Sequence, residues 1–283
     1  MHDPAAFQAT LAQAVAGRYA LDRELGRGGM ATVYLARDRR DERTVALKAL
    51  HQLCSASTAE RFRREMEIAA SLKHPGIVPL LDSGSSEGML YYVMPFVEGE
   101  SLYARLERDR RVSVPDALEI TRDVAEAVAY AHGQGFLHRD LKPENILLTR
   151  AGNARAHAVV ADFGLARAIE STEHTRLTET GAVVGTIWYM SPEQLREERD
   201  LDVRTDVYSL GCVLYEMLTG GPPFTGRSTT DLVMRILRAP PPSARQVSPE
   251  VPAAVDAAIA RALAKAAKDR FESMPAFAAA LAA

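Results

Sequence analysis

The stretch that decides the reading is His138-Arg139-Asp140-Leu141-Lys142-Pro143-Glu144-Asn145. Ile146-Leu147-Leu148 follows it directly, and Val159-Val160-Ala161-Asp162-Phe163-Gly164 comes a short way on. A charged cluster set between two apolar, strand-like runs is not the pattern of a solvated surface turn. An aspartate such as Asp140 can orient or deprotonate a hydroxyl nucleophile. Lys142, two residues on, can neutralise charge on a transferring phosphoryl group. Asn145 and Asp162 offer hard oxygen donors of the kind magnesium prefers.

Upstream, Val45-Ala46-Leu47-Lys48 puts a lysine on an apolar, strand-like run. Such a lysine is either a snorkelling surface residue or a phosphate clamp held by a carboxylate. Glu65 is the candidate carboxylate, on a helix expected over about Thr58–Leu72 whose apolar face is Phe62, Met66, Ala69 and Ala70. Further upstream, Leu25-Gly26-Arg27-Gly28-Gly29-Met30-Ala31-Thr32-Val33 lies between two strand-like runs. Glycines let a backbone approach phosphates and donate N–H groups to them. No Gly-Lys-Ser/Thr closes the segment, so it is not a Walker A loop. A strand rather than a helix follows it, so it is not a dinucleotide fingerprint.

Residues 18–97 read mostly as strands with one helix, and residues 98–283 mostly as helices. A short helix over residues 3–16, with Phe7, Leu11 and Val15 at helical spacing, precedes them and is expected to pack on the main body. Asp206–Thr219 is apolar nearly all round, as a buried central helix would be. A strand-rich part joined to a helix-rich part gives an α+β, bilobal expectation with a cleft at the join.

Composition is that of an ordinary globular chain. Of 283 residues, 34 are Lys or Arg and 37 are Asp or Glu, for a net charge of -3, so neither nucleic acid nor an anionic membrane is indicated as the main partner. The 2 cysteines, Cys54 and Cys212, have no CxxC spacing, which argues against a disulfide framework or a zinc site and for a reducing cytoplasm. Cys212 is expected in the core. No apolar run approaches the roughly 20 residues that span a bilayer, and the N-terminal run does not resemble a signal peptide.

Taken in order, these motifs resemble the eukaryotic-type (Hanks) protein kinase family, and most of all its bacterial serine/threonine members. The resemblance runs over residues 18–272. It implies a small antiparallel-sheet N-lobe with a hinge (18–97), a larger helical C-lobe (98–283) and an ATP cleft between them, preceded by a helical extension (1–17). It implies transfer of the γ-phosphoryl group of ATP, with magnesium or manganese, to serine and threonine hydroxyls of proteins. Gly26 and Gly28 would cover the phosphates, with Leu25 beside them, and Lys48 would contact the α/β-phosphates and pair with Glu65. Val33, Ala46 and Leu147 would sandwich the adenine, Met94 would be the gatekeeper, and Pro95-Phe96-Val97 the hinge. Asp140 would be the base, Lys142 would stabilise the γ-phosphate, and Asn145 and Asp162 would bind the metal. Thr186 would hydrogen-bond Asp140 and Lys142. Glu193 of Ser191-Pro192-Glu193 would pair with Arg270, and Asp206 would brace the catalytic loop.

Three positions depart from the family pattern. Ala31 stands at the third glycine of the phosphate loop, Pro95 in the hinge has no N–H, and Ser191 replaces an alanine. None removes a catalytic group. Thr178 and Thr180 resemble a paired autophosphorylation site acted on in trans, with Arg139 and Arg167 as the basic pocket for the phosphate. The resemblance also implies that a homodimer through the N-lobe is open to the chain, since family members can dimerise through the strand-rich lobe. The alternative reading is a nucleotide-binding pseudokinase or scaffold, which would be expected to lack Lys48, Asp140 or Asp162. A small-molecule phosphotransferase would be expected to lack the Ser-Pro-Glu segment.

Overall fold

The computed structural model of the chain describes residues 4–29, 31–86, 88–149, 157–163 and 187–282. Two compact units divide them. The first takes the residues up to Lys73 together with Val78–Val97; the second takes His74–Ile77, Glu98–Phe163 and those from Ile187 onward.

The first unit is a five-stranded antiparallel sheet with a helix on each face. Its strands are β1 (Tyr19–Arg27), β2 (Ala31–Asp38), β3 (Thr44–Leu53), β4 (Asp82–Ser86) and β5 (Met89–Pro95), in the order β1-β2-β3-β5-β4. Residues opposite one another in an antiparallel pair share a face, and neighbours along a strand alternate. Tyr34, Leu47 and Val93 are mutual partners and lie on one face. Helix α1 (Pro4–Val15) covers that face, burying Leu11 and Val15 among Tyr34, Ala36, Val45, Leu47, Ala49 and Val93. Helix α2 (Ala56–Ala69) covers the other, where Phe62 and Met66 are buried with Ala31, Leu50, Leu90 and Tyr92.

Two details of α2 differ from expectation. Ser55, not the neighbourhood of Thr58, starts the helix, because its hydroxyl accepts from Thr58 N at 3.3 Å. Ala70, expected on the apolar face, is exposed, since the helix has ended one residue earlier.

The second unit is mostly helical. A small sheet of β6 (Gly99–Ser101), β7 (Ile146–Thr149) and β8 (Ala158–Val160) lies with α3 (Leu102–Asp109) and α4 (Val114–Gly133). Ser101 caps α3, as expected, by accepting from Ala104 N at 3.1 Å. Then come α5 (Pro192–Leu195), α6 (Arg204–Thr219), α7 (Thr229–Arg238), α8 (Ala244–Val247), α9 (Ala253–Ala262) and α10 (Met274–Leu281). Helix α6 is the core: every residue from Thr205 to Tyr215 is buried, Cys212 included. Gly211 lets α9 approach it, since a Cβ there would sit 2.9 Å from the Ala262 Cβ. Gly220, at φ 85, ends the helix in the left-handed region. No helix among the described residues is long and apolar enough to cross a membrane.

Candidate active site

In the first unit, strand register gathers the candidate nucleotide-binding residues on one face. Lys48 stands opposite Val33 on β2 and Tyr92 on β5, and Ala46 stands opposite Met94. Val33, Ala46, Lys48 and Met94 therefore share the α2 side of the sheet, the side that buries Leu50 against Phe62 and Met66. Glu65 precedes Met66 on that helix, and both Lys48 and Glu65 are half-buried. Pro95 ends β5 opposite Val45, where its missing N–H costs the ladder little, and Val97 follows, half-buried.

The glycine-rich segment is the turn of the β1–β2 hairpin. Gly26 pairs with Val33 and Arg27 with Thr32, Gly28 N donates to Ala31 O at 2.9 Å, and Leu25 is half-buried just before the turn. Ala31, the departure at the third glycine, is buried in the cluster with Phe62 and Met66, so its methyl group ties the turn to α2.

In the second unit, β7 and β8 pair Ile146 with Val160, and Ala161 N donates to Asn145 O at 2.9 Å. That pairing sets Asn145 beside the segment carrying Asp162. Leu147, on the opposite side of β7 from buried Ile146 and Leu148, is half-buried. Lys142 Nζ donates to both carboxylate oxygens of Asp140, at 2.9 and 2.8 Å. Asn145 Nδ2 donates to Asp140 O at 2.8 Å and to Oδ2 at 3.1 Å, which leaves Asn145 Oδ1 as its acceptor. Burial pulls the Lys142 ammonium down, but the Asp140 carboxylate outweighs it, with Glu144 and Asp162 adding to the same sign, and the group ends above the usual lysine range.

The backbone under Asp140 is held by buried groups. Asp206, fully buried, accepts from His138 N and Arg139 N at 2.8 Å each and from His132 Nε2 at 2.8 Å. Burial pushes its carboxyl up, yet His132 and His138 hold it below the usual range. Asp140 N donates to His138 Nδ1 at 3.2 Å, so the proton of that imidazole sits on Nε2 and is donated to Ala161 O at 2.9 Å. His138 thus joins the Asp140 loop to the Asp162 segment, with its ring edge-on to Phe163 at 4.5 Å. Arg139 (φ 66) and Asp162 (φ 68) both occupy the left-handed region, strain of the kind concentrated at functional sites.

Glu193 and Arg270 form the expected pair, and Asp206 stands under the Asp140 loop as expected. Thr178, Thr180, Thr186 and Arg167 lie outside the described residues. The contacts of His132, His51 and Gln194 escaped the sequence reading, because each joins residues far apart along the chain. Tyr189 OH donating to Glu216 at 2.5 Å escaped it too; burial raises that carboxyl to about 7.

A divalent cation fits the donor set. Among the described residues no group of three or more His, Cys, Asp and Glu side chains is gathered as for a transition metal. Asn145 and Asp162 instead offer an amide oxygen and a carboxylate, hard oxygen donors of the kind divalent cations prefer.

Similarity to known proteins agrees with this geometry. The family model described as "Protein kinase domain" matches residues 19–279. A probable serine/threonine-protein kinase of Streptomyces coelicolor is 42% identical over 263 residues, 91% of this chain and 38% of that protein. The serine/threonine-protein kinase PknB of Mycolicibacterium smegmatis is 42% identical over 93% of this chain and 42% of its own length. PrkC of Bacillus subtilis is 40% identical over 92% of this chain and 39% of its own. The chain thus spans about two-fifths of the length of these curated relatives. Among solved structures, Rad53 1-466 in complex with AMP-PNP superposes with a TM-score of 0.76 at 28% identity, covering 93% of this chain and 65% of that one. The chain belongs to the protein kinase family.

Proposed function

We propose that this chain is an active kinase domain that moves the γ-phosphoryl group of ATP to serine and threonine hydroxyls of proteins. The observation that carries the reading is the Asp140 carboxylate, held through both oxygens by Lys142 and again by Asn145, on a backbone fixed by buried Asp206.

Asp140 orients the acceptor hydroxyl and takes its proton as the oxygen attacks the γ-phosphorus and the bond to the ADP oxygen breaks. Lys142 offsets charge on the transferring group. Asn145 and Asp162 would hold a magnesium or manganese ion, which would offset negative charge on the phosphates. From the sheet unit, Gly26 and Gly28 cover the phosphates, Lys48 with Glu65 clamps them, and Leu25, Val33, Ala46, Met94, Pro95 and Val97 take the nucleoside. Leu147 contributes to adenine binding. Thr186 steadies Asp140 and Lys142. Another copy of the chain phosphorylates Thr178 and Thr180, and Arg139 and Arg167 receive the phosphates. Association of copies runs through the sheet unit, and a reducing cytoplasm suits the unpaired thiols. The scaffold reading would lead one to expect loss of Lys48, Asp140 or Asp162, and all three are present.

The test is transfer from γ-labelled ATP to a generic acceptor protein, with phosphoamino-acid analysis and a sugar acceptor in parallel. Label on serine or threonine supports the proposal; label on the sugar alone, or on tyrosine alone, contradicts it.

A further inference from the structure

Gln194 does two jobs with one amide. Its Oε1 accepts from Ser191 N at 3.0 Å while Ser191 Oγ accepts from Gln194 N at 3.3 Å, closing a capping box at the start of α5. Capping uses only the amide oxygen, and a glutamate would serve equally. The remaining NH2 donates to Arg139 O at 2.8 Å, across 55 residues of sequence. That bond requires an amide, since a carboxylate cannot donate to a carbonyl.

Arg139 O belongs to the peptide linking Arg139 to Asp140. Its other end, Asp140 N, donates to His138 Nδ1, and Arg139 itself is held at φ 66 with its own N–H on Asp206. The Arg139–Asp140 peptide is therefore pinned at both its oxygen and its nitrogen. Turning that peptide would swing the Asp140 side chain away from its present direction. The post from which Gln194 reaches is itself fixed: Glu193, one residue earlier, is held by Arg270 and by Thr205 Oγ1.

We propose that Gln194 is a positioning residue for Asp140, fixing the Arg139–Asp140 peptide and thereby the direction of the carboxylate. It acts on the phosphoryl-transfer step and not on nucleotide binding. The inference rests on the reading of Asp140 as the base.

The test compares Gln194→Glu, Gln194→Met and Asp140→Asn with the unaltered chain, using steady-state transfer to a generic acceptor protein and thermal unfolding. Gln194→Glu keeps the cap and loses the donor. The expected result is a fall in kcat on the order of 10- to 100-fold, as for small misplacements of a reacting group, with KM for ATP and the unfolding midpoint little changed. Gln194→Met loses both bonds and should lower kcat and the midpoint together. Wild-type kcat in Gln194→Glu overturns the proposal, as does a loss confined to KM for ATP. If Gln194→Glu melts early, Gln194→Met decides, with wild-type kcat again the contradicting result. Full transfer by Asp140→Asn would sink the reading of Asp140 itself. Its loss in Asp140→Asn, with wild-type rates in both Gln194 variants, would sink only the role of Gln194.

Discussion

Arg270 and Glu193, 77 residues apart, meet in a two-pronged ion pair, Nη1 to Oε1 at 2.6 Å and Nη2 to Oε2 at 2.7 Å. The remaining guanidinium donors are also used: Nε reaches Ala264 O at 2.8 Å, and the two Nη groups reach Arg204 O at 3.0 Å and Lys265 O at 3.3 Å. The Arg270 side chain is fully buried, so removing either partner strands a charge. Arg270→Ala is expected to cost roughly 3–5 kcal/mol in denaturant unfolding, and Arg270→Lys should not restore the planar fork.

The same pair has a pH signature. Burial pushes the Glu193 carboxyl up, but Arg270 more than offsets it, and the carboxyl ends below its ordinary value of 4.5. A depressed carboxylate contributes stability that is present above that ordinary value and lost as pH falls through the lower, folded one. Stability should therefore drop on acidification below about pH 4.5, and Glu193→Gln should show a shallower drop. Parallel acid limbs for the two proteins would contradict this.

Lys265 is a charge the fold tolerates poorly. Its Nζ is buried without a hydrogen bond among the described residues and faces the Phe224 ring at 3.8 Å. Burial, with Arg270 nearby, lowers the ammonium to about 8. An unfolded lysine titrates near 10.4, so between those values the unfolded chain binds more protons and stability rises with pH. Below about pH 8 the native state carries the whole penalty. Lys265→Met is expected to raise the unfolding midpoint at pH 7, with the advantage shrinking as pH climbs past 8. A gain independent of pH would contradict the assignment.

His51 links helix α1 to the glycine-rich turn. Its Nδ1 lies 3.1 Å from Gly29 O and its Nε2 lies 2.7 Å from Thr32 Oγ1, while Phe7 of α1 meets the ring edge-on at 5.3 Å. Gly29 O can only accept, so Nδ1 donates and Nε2 accepts from the Thr32 hydroxyl. Losing one such tether should loosen the turn. His51→Ala is expected to raise KM for ATP by roughly 2- to 10-fold with kcat little changed, and Phe7→Ala should act in the same direction more weakly. An unchanged KM in an ATP titration of His51→Ala would count against the tether.

The strands β1, β2, β3 and β5 were legible because apolar residues alternate or run continuously through them, and the two key helices because their apolar spacing is helical. Strand β4 was not legible: Asp82-Ser83-Gly84-Ser85-Ser86 has the composition of a turn and becomes a strand by pairing with β5. Gly84 leaves room there for the tip of Tyr91, since a Cβ would sit 2.5 Å from Tyr91 Oη and the ring would have to shift. The chemistry-bearing residues were legible as motifs, since Asp140, Lys142 and Asn145 lie within six positions of one another. What holds them was less legible. Asp206 reaches His132 across 74 residues and Gln194 reaches Arg139 across 55, and such meetings are made by packing of α6 and α5, not by local spacing.

The most direct test of the central claim is mass spectrometry of the chain after incubation with ATP and magnesium, beside Asp140→Asn, with ATP binding measured for both. Phosphate on serine or threonine of the unaltered chain, absent from an Asp140→Asn protein that still binds ATP, is the predicted result. Equal phosphate on both proteins, or none on either despite ATP binding, would contradict an active kinase that works through Asp140.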